Sequence, residues 1–424
     1  MRNFLFCFLL ILLSVSGFSQ TSVADSINNE KAVVQAFDPV VATQEYLDTL
    51  SGEAKEKSDS YFEGGYWLLL WNLLYSIGVA FIFLSLGLSS WIKKIAAKVK
   101  NINLQNLIYI IFYMIFFYLL FFPLNVYENF FREHQYNLSN LTFGAWMGEE
   151  MKSLLIQIIF MGLVLVIIYK FIRKIQKSWW LWAGIITMFF LVIGILISPV
   201  YIDPLFNEYK PMDDGPIKEE ILSLARANQI PADNVFQVDA SKQSNRISAN
   251  VSGFANTTRI ALNDNLLNRC DLPEIKAVMA HEMGHYVLNH IYEMIVYFSI
   301  LILACFAFVN WAFNKVNKKW GAKWKIDGIA DIKGLPLFAV LFTVFMFFAQ
   351  PVINNIIRSN EVEADMFGLN ASREPDGFAR VSMKLSEYRK INPGKWEEII
   401  FFDHPSGKTR VCEAMKWKSE NMED

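Results

Sequence analysis

The stretch Ala280-His281-Glu282-Met283-Gly284-His285 has the form H-E-x-x-H, and the rest of the chain is best understood from it. On an α-helix, residues four positions apart lie one above the other on the same face. His281 and His285 can therefore direct two imidazoles at one metal ion, which predicts a zinc site. Glu282 stands next to the first histidine and can act as a general base toward a water molecule at the metal.

The flanking sequence predicts that this motif is helical. Asp271 is a favourable N-cap residue, and Glu274 follows it at the spacing of a capping box. From Glu274 to about Phe313 there is no further proline, and the residues from 294 to 313 are almost wholly apolar. We therefore expect one long helix that starts in water, carries the metal site and then enters a membrane. A five-residue motif also arises by chance, but three of the chain's five histidines fall in this helix.

The composition indicates an integral membrane protein. Hydrophobic residues make up 54% of the 424 residues and charged residues only 19%, with 36 phenylalanines. The net charge of -2 is near zero, so we expect no nucleic-acid partner. The four cysteines form no C-x-x-C pair, which excludes a cysteine zinc cluster as the expected metal site.

Six apolar runs are each long enough to cross a bilayer, at roughly residues 66–88, 107–126, 154–172, 179–200, 294–313 and 335–357. A buried helix of a soluble protein could account for one such run but not for six. The sequence therefore predicts a mainly α, polytopic membrane protein with a small α/β domain that carries the metal site.

The beginning of the chain resembles a secretory signal peptide. Arg2 provides the positive charge of the n-region, and residues 4–15 form a short apolar core. Residues 16–20, which are mostly small, resemble a cleavage region. An uncleaved first transmembrane helix at residues 1–20 is the alternative. Residues 21–63 are polar and predict a solvated segment with some helix.

The remaining chain divides by composition. We expect four membrane helices in residues 64–200, the α/β unit with the H-E-x-x-H helix in 201–293, two membrane helices in 294–357, and the C-terminal part of the α/β domain in 358–424. Helical spacing at 216–228 and strand-like pieces at 234–239, 247–254 and 258–262 predict this unit. The edge of its sheet could hold a substrate backbone as an added strand.

Basic loops predict the orientation in the membrane. Lysines and arginines follow the first, third and fifth runs, at 93–100, 173–177 and 315–325. The positive-inside rule places these loops in the cytoplasm and the H-E-x-x-H helix on the opposite side. Because the start resembles a signal peptide, we expect a bacterial inner membrane with the catalytic site facing away from the cytoplasm.

Acidic residues follow the last apolar run, within Arg358 to Asp365. Zinc held by two histidines commonly takes a carboxylate as its third ligand. Glu361 and Asp365 share a helix face, so one could bind the metal while the other steadies a ligand or an arginine. The alternative is that this acidic segment is only the solvent-exposed end of a helix and binds no metal. Further along the chain, His404 precedes a proline, and Arg410 follows six residues after it. A single histidine before a proline is most often a turn residue without a catalytic role.

Together these segments resemble the type I CAAX prenyl endopeptidases, which are membrane zinc proteases of the M48 group. The resemblance runs from about residue 60 to the end of the sequence. The matching segments are Tyr127–Phe130 through Leu141–Gly144, Tyr201–Phe206, Ile217–Ile221, Ala280–His285, Arg358 with Glu361–Asp365, and His404-Pro405 with Arg410.

The resemblance implies one zinc ion per chain, with Glu361 as the third ligand beside His281 and His285. It implies that His404 hydrogen-bonds the substrate or the developing oxyanion. It also implies seven membrane helices around a large chamber, the seventh being residues 1–20.

Asp365, Arg358 and Arg410 are expected to lie beside the zinc site, where each would support a metal ligand or bind the substrate. One departure concerns the family's S-N-A-x-x-x-G-F strand. Here Ser248 stands where asparagine is expected, and Asn250 follows two residues later. A strand side chain keeps its face after a shift of two, so Asn250 is the candidate to replace it.

The expected function is zinc-dependent peptide hydrolysis in a membrane, near the C-terminus of the substrate. Family substrates are C-terminal tripeptides beyond a lipidated cysteine, and prenylated proteins are not expected in bacteria. The predicted substrate is therefore a lipidated or membrane-associated polypeptide, met in contact with membrane lipid. One alternative is a membrane quality-control zinc protease, a class with fewer membrane runs. The other is a zinc-stabilised scaffold or transporter, against which Glu282 argues because a structural site needs no base.

Overall fold

The computed structural model describes residues 37–252 and 258–422. The predicted signal peptide or first membrane helix at residues 1–20 lies outside them. The same is true of residues 21–36 of the polar segment and of residues 253 and 254 at the end of a predicted strand.

Six helical segments in the described residues are long and apolar enough to span a membrane, which confirms the six predicted runs. They are Gly52–Ser85, Ile102–Gln135, Phe143–Lys174, Trp179–Leu205, His290–Trp324 and Ile332–Ser372. In the most apolar window of the fourth span only 6% of the residues are buried inside the protein. The apolar side chains there face outward, where a bilayer would cover them.

The first membrane group begins after a short helix, α1 (Pro39–Asp48). Its helices are α2 (Gly52–Ser85), α3 (Leu88–Ala96), α4 (Ile102–Val126), α5 (Arg132–Gln135), α6 (Phe143–Lys174) and α7 (Trp179–Ile197). A π-helical turn, Tyr127–Phe131, joins α4 to α5. Large buried aromatic side chains, among them Trp179, Tyr109 and Tyr169, fill the space between these helices.

The water-soluble unit contains a four-stranded sheet. Its elements are β1 (Tyr209–Pro211), α8 (Pro216–Ala227), β2 (Val235–Val238), β3 (Ala249–Ser252) and β4 (Arg259–Asn263). The strand order is β1-β2-β4-β3, with β2 parallel to β4 and the two outer pairs antiparallel. The three predicted strands are present, and β3 forms one edge. The sequence did not predict β1, since three residues that end in a proline carry no alternating pattern.

The H-E-x-x-H motif lies in α10 (Leu272–Val287), which follows α9 (Asp264–Arg269). The predicted capping box is present: Asp271 Oδ1 accepts from the Glu274 amide at 3.0 Å, and Glu274 Oε2 accepts from the Asp271 amide at 2.8 Å. The prediction of one long helix is wrong. The chain breaks at Asn289, which has a left-handed φ of 61°, and α11 (His290–Trp324) begins after it. Asparagine tolerates this conformation better than most residues.

The last membrane run and the acidic segment form one helix, α12 (Leu335–Ser372), so the predicted boundary at residue 358 is not a break in structure. It is followed by α13 (Pro375–Leu385), α14 (Lys395–Phe401) and α15 (Gly407–Asn421). The segment before α2 is not merely solvated. Apolar side chains of α1 pack on the core formed by α13 and α15, and the Tyr46 hydroxyl donates to Asp376 at 2.9 Å.

The segments that carry the basic loops meet at one end of the helix bundle. Arg173 Nη2 donates to Asn103 Oδ1 at 2.7 Å, and Trp324 Nε1 donates to Ser85 Oγ at 3.2 Å. The H-E-x-x-H motif stands at the opposite end, because it precedes the start of α11 while Trp324 is the last residue of that helix.

Candidate metal centre

Two helices bring three metal-ligating side chains together. His281 and His285 project from α10, and their Nε2 atoms lie 3.2 Å apart. Glu361 of α12 faces both: its Oε2 is 3.3 Å from His281 Nε2, and its Oε1 is 3.4 Å from His285 Nε2. In the part of the chain that the structure describes, these three residues form the group of His, Cys, Asp and Glu side chains able to hold one ion.

The separations of these atoms fit a tetrahedral site. Ligands bound about 2.0–2.1 Å from a zinc ion stand about 3.3–3.4 Å apart at tetrahedral angles. The two histidine nitrogens lie 3.2 Å apart, and each lies 3.3 or 3.4 Å from one of the two Glu361 oxygens, distances that agree with this spacing. Two imidazoles and one carboxylate are also the donor set that zinc accepts, with a fourth position left open. The residues present therefore fit the predicted metal ion.

Asp365 and Arg410 hold two of these side chains from behind. Asp365 Oδ1 lies 2.8 Å from His281 Nδ1, the ring nitrogen that faces away from the candidate metal position. Arg410 binds both acids of α12, with Nε 2.9 Å from Asp365 Oδ2 and Nη2 3.0 Å from Glu361 Oε2. The Asp365 carboxylate can orient the His281 ring and raise the basicity of its Nε2, whereas the Arg410 cation orients Glu361 and lowers the basicity of that carboxylate. The structure thus brings Asp365 and Arg410 next to the candidate ligands.

The acids also hold a proton on His281 when no cation is present. Burial lowers the pKa of His281, but the hydrogen bonds of Asp365 and Glu361 outweigh it and raise the pKa to about 10. A metal ion at this site would have to replace that proton.

The second histidine has a different support. His285 Nδ1 lies 2.9 Å from Nδ1 of His290, the first residue of α11, and His290 Nε2 lies 3.4 Å from Glu363 Oε2. This contact depends on the break at Asn289, because residues five apart on one continuous helix would not share a face. A spacing of five residues within a predicted helix does not connect His290 with His285.

His404 lies on the other side of Glu361, with its Nε2 3.2 Å from Glu361 Oε2. It does not belong to the cluster of three ligand atoms. Its Nδ1 donates to Asp403 Oδ1 at 2.8 Å, which fixes the ring. Burial lowers the pKa of His404, and the positive charge of Arg389 lowers it further, although Asp403 acts in the opposite direction.

Arg358 supports the segment that presents His404. Its Nη1 donates to the backbone carbonyls of Glu398 at 2.6 Å and Phe402 at 2.7 Å, at the C-terminal end of α14. A cation there satisfies carbonyls that have no partner within the helix. Among the described residues Arg358 forms no hydrogen bond or ion pair with Glu361 or the histidines; its bonds go to the backbone that precedes His404 and to Asn355.

Glu282 lines a cavity of about 230 Å³, whose wall also includes two of the three candidate ligands, His281 and Glu361. Its carboxylate forms no hydrogen bond or ion pair with the described residues, and burial raises its pKa. Ser248 and Ala249, at the beginning of the edge strand β3, line the same cavity. Asn250 is exposed and does not line it, so the structure does not bring this predicted residue to the site.

A second cavity, of about 490 Å³, lies between the membrane helices. Aromatic and aliphatic side chains such as Phe117, Phe306 and Phe338 form most of its wall, with a few polar groups such as Gln157 and Thr187. Helices from both membrane groups contribute to its wall.

The sequence matches two known families along almost its whole described length. A profile described as "Peptidase family M48" matches residues 211–418, and one described as "CAAX prenyl protease N-terminal, five membrane helices" matches residues 35–208. A curated relative from Bacillus subtilis, the uncharacterized metalloprotease YhfN, is 30% identical over 354 residues, which cover 81% of this chain and 83% of that protein.

The chain belongs to peptidase family M48. It is therefore a multi-pass membrane metallopeptidase, as the sequence predicted. CAAX prenyl protease 1 of Saccharomyces cerevisiae is 28% identical over 320 residues, covering 71% of this chain and 70% of that protein. The crystal structure of Ste24p from S. mikatae matches with a TM-score of 0.72 and 24% identity, over 89% of this chain and 94% of that one, and shows the same fold.

Proposed function

We propose that this M48 peptidase is a zinc endopeptidase that cleaves lipidated or membrane-associated polypeptides near their C-terminus, as the names of its CAAX prenyl protease relatives suggest. The observation that carries the proposal is the triangle of His281, His285 and Glu361, with the free carboxylate of Glu282 in the cavity that His281 and Glu361 line. A structural metal site would need no such base beside it.

Each side chain of the site has a proposed task. A bound zinc ion would supply a Lewis acid for the scissile carbonyl and for the attacking water. Glu282 takes a proton from that water and later gives it to the leaving amine. His404 donates a hydrogen bond to the carbonyl oxygen as negative charge develops there.

The free edge of β3 is the proposed place for the substrate backbone. Ser248 and Ala249 bring this edge to the cavity, and β3 pairs only with β4 in the described sheet. An extended peptide could add to it as a further strand, which would hold the scissile bond next to the cavity.

The proposed location is the inner membrane of a bacterium, with the metal site facing away from the cytoplasm. The meeting of the basic loops at the end of the bundle opposite the metal site supports this orientation. The cavity between the spans, whose wall is mainly apolar, supports a substrate that carries a lipid.

The test is to purify the protein, measure its bound zinc, and follow cleavage of a lipidated peptide and of its unlipidated twin. We expect about one zinc per chain, cleavage that a chelator stops, and faster cleavage of the lipidated peptide. Equal cleavage of both peptides, or preference for unfolded membrane proteins, would instead favour the quality-control alternative. Bound zinc without any cleavage would favour the scaffold.

A further inference from the structure

Arg389 lies in the wall of the catalytic cavity, in the segment between α13 and α14. It is partly buried and shares the cavity with Glu282, Glu361 and His404. Nothing in the local sequence marks it, since it is one basic residue among several in a polar connection. The proposed mechanism gives it no task.

The guanidinium group of Arg389 has no partner in the part of the chain that the structure describes: no hydrogen bond or ion pair to it is formed there. Arg410, the other arginine of the cavity wall, forms ion pairs with Glu361 and Asp365. Asp403 is a nearby acid, and its Oδ1 accepts a hydrogen bond from His404. Arg389 thus presents a free cation to the space where a substrate would bind.

The electrostatics of this position are unfavourable without an added anion. Burial lowers the pKa of Arg389, and the positive charge of Arg410 lowers it further, although Tyr388, Asp403 and Glu361 act in the opposite direction. Arginine nevertheless keeps its charge in proteins. A charge that is partly removed from water and lacks a partner costs free energy, and an anion that enters the cavity would recover it.

We propose that Arg389 binds the C-terminal carboxylate of the peptide substrate and thereby selects bonds close to the end of a polypeptide. The inference rests on the proposed function, because an endopeptidase that cuts near a C-terminus has a free carboxylate within reach of its site. The planar guanidinium fork matches a carboxylate with two parallel hydrogen bonds. The small volume of the cavity, about 230 Å³, also suits a short peptide end better than a continuing chain.

Binding can be tested without turnover in the full-length, zinc-loaded Glu282→Gln variant. The probes are a short peptide with a free C-terminal carboxylate, its C-terminal amide, and an amide that carries an internal aspartate. With Arg389 present, we expect the amide to bind about 10- to 100-fold more weakly than the free acid, as for loss of a charged hydrogen bond. With Arg389→Met added, the acid and the amide should bind equally.

Two further variants serve as references. Arg389→Lys keeps the charge but not the fork, so it should retain part of the preference for the acid. Arg226→Gln removes one positive charge from an exposed site on α8 and should leave the preference unchanged. Zinc content is measured in each variant, so that loss of the fold is not mistaken for loss of recognition.

The outcomes separate this inference from the proposed function. Cleavage by the wild-type enzyme that is indifferent to the terminal carboxylate would overturn the inference and leave the function intact. Preference for the acid that persists in Arg389→Met would overturn it as well, and so would an internal aspartate that fully replaces the terminus. Carboxylate-dependent binding through Arg389 in a protein that cleaves no peptide would support the inference and refute the proposed function.

Discussion

A Cβ atom placed on Gly284 would lie 3.2 Å from the Cα atom of Ala364, so the helix with the two histidines and the helix with Glu361 touch backbone to backbone. Gly368 makes the same kind of contact one turn further along α12, where a Cβ would lie 3.1 Å from the His281 amide nitrogen. The metal-ligand triangle depends on this approach, because the Glu361 carboxylate of one helix must come within 3.3 to 3.4 Å of the histidine nitrogens of the other.

The variant Gly368→Ala should weaken metal binding. The added methyl group meets the backbone of α10, which cannot turn aside as a flexible side chain would, so α10 and α12 must move apart. Such overpacking typically costs about 1–3 kcal/mol, and we expect metal affinity, measured by chelator competition, to fall about tenfold or more. The control is Gly148→Ala in α6, where nothing lies within 4 Å of the added atom. Unchanged affinity in Gly368→Ala would show that the helices can adjust.

The variant Glu282→Gln should retain zinc and lose turnover. The amide has almost the same size as the carboxylate but cannot accept the proton, and a general base typically contributes about 10²–10⁴-fold. Zinc content and peptide cleavage are measured on the same preparation. Glu219→Gln, an exposed acid on α8, is the matched control. Near-normal hydrolysis by Glu282→Gln would contradict the assigned base.

Glu361→Ala and Glu363→Ala should differ in metal retention. Glu361 faces both histidines, so its loss leaves two imidazoles, and the ion should be lost under mild chelation. Glu363 is largely exposed, and its one ion pair with the described residues is to His290, at 3.4 Å, so its removal should leave zinc in place. Zinc is counted by mass spectrometry after dialysis against a chelator. If Glu363→Ala loses the ion instead, the third ligand has been assigned two residues too early.

The variant His404→Ala should bind zinc normally and cleave slowly. A hydrogen-bond donor lost from a developing oxyanion typically costs about 10²–10³-fold in turnover. To donate from Nε2 while Nδ1 is bound to Asp403, the ring must be protonated. Its pKa is lowered, so this form is present at low pH and is lost as the pH rises. The ratio of wild-type to His404→Ala turnover should therefore be largest in acid, and a ratio that grows with pH would refute this role.

The sidedness of the chain can be tested with reporter fusions. A phosphatase that is active only outside the cytoplasm should be active when fused near Asn234 and inactive when fused in the basic loop at 93–100. The meeting of the basic loops at the end away from the metal site motivates this expectation. The reverse pattern of activity would place the metal site in the cytoplasm.

Features that lie within one helix or one run were predictable from the sequence. The capping box at Asp271, the pairing of His281 with His285 and the six membrane runs each follow from local spacing or composition. Glu361 stands 80 positions after His281, and only the resemblance to a family singled it out over the other acids of α12.

Features that depend on how distant segments meet were not predictable. The free guanidinium of Arg389, the packing of α1 on the C-terminal helices and the support of His285 by His290 all arise from contacts between elements. The break at Asn289 shows the limit most clearly. A run without proline is compatible with a continuous helix, and only tertiary packing decides that one residue adopts a left-handed conformation.

The continuity of α12 ties the chemistry to the lipid. Glu361 stands 26 positions after Leu335 on the same helix, a distance of about 39 Å at about 1.5 Å per residue. No loop separates the part that lies in the bilayer from the part that holds the candidate ligand, although Pro351 removes one backbone hydrogen bond between them. A substrate whose anchor lies in the lipid must therefore place its scissile bond at the distance from the membrane that this helix sets. The rate of cleavage should then depend on the thickness of the bilayer.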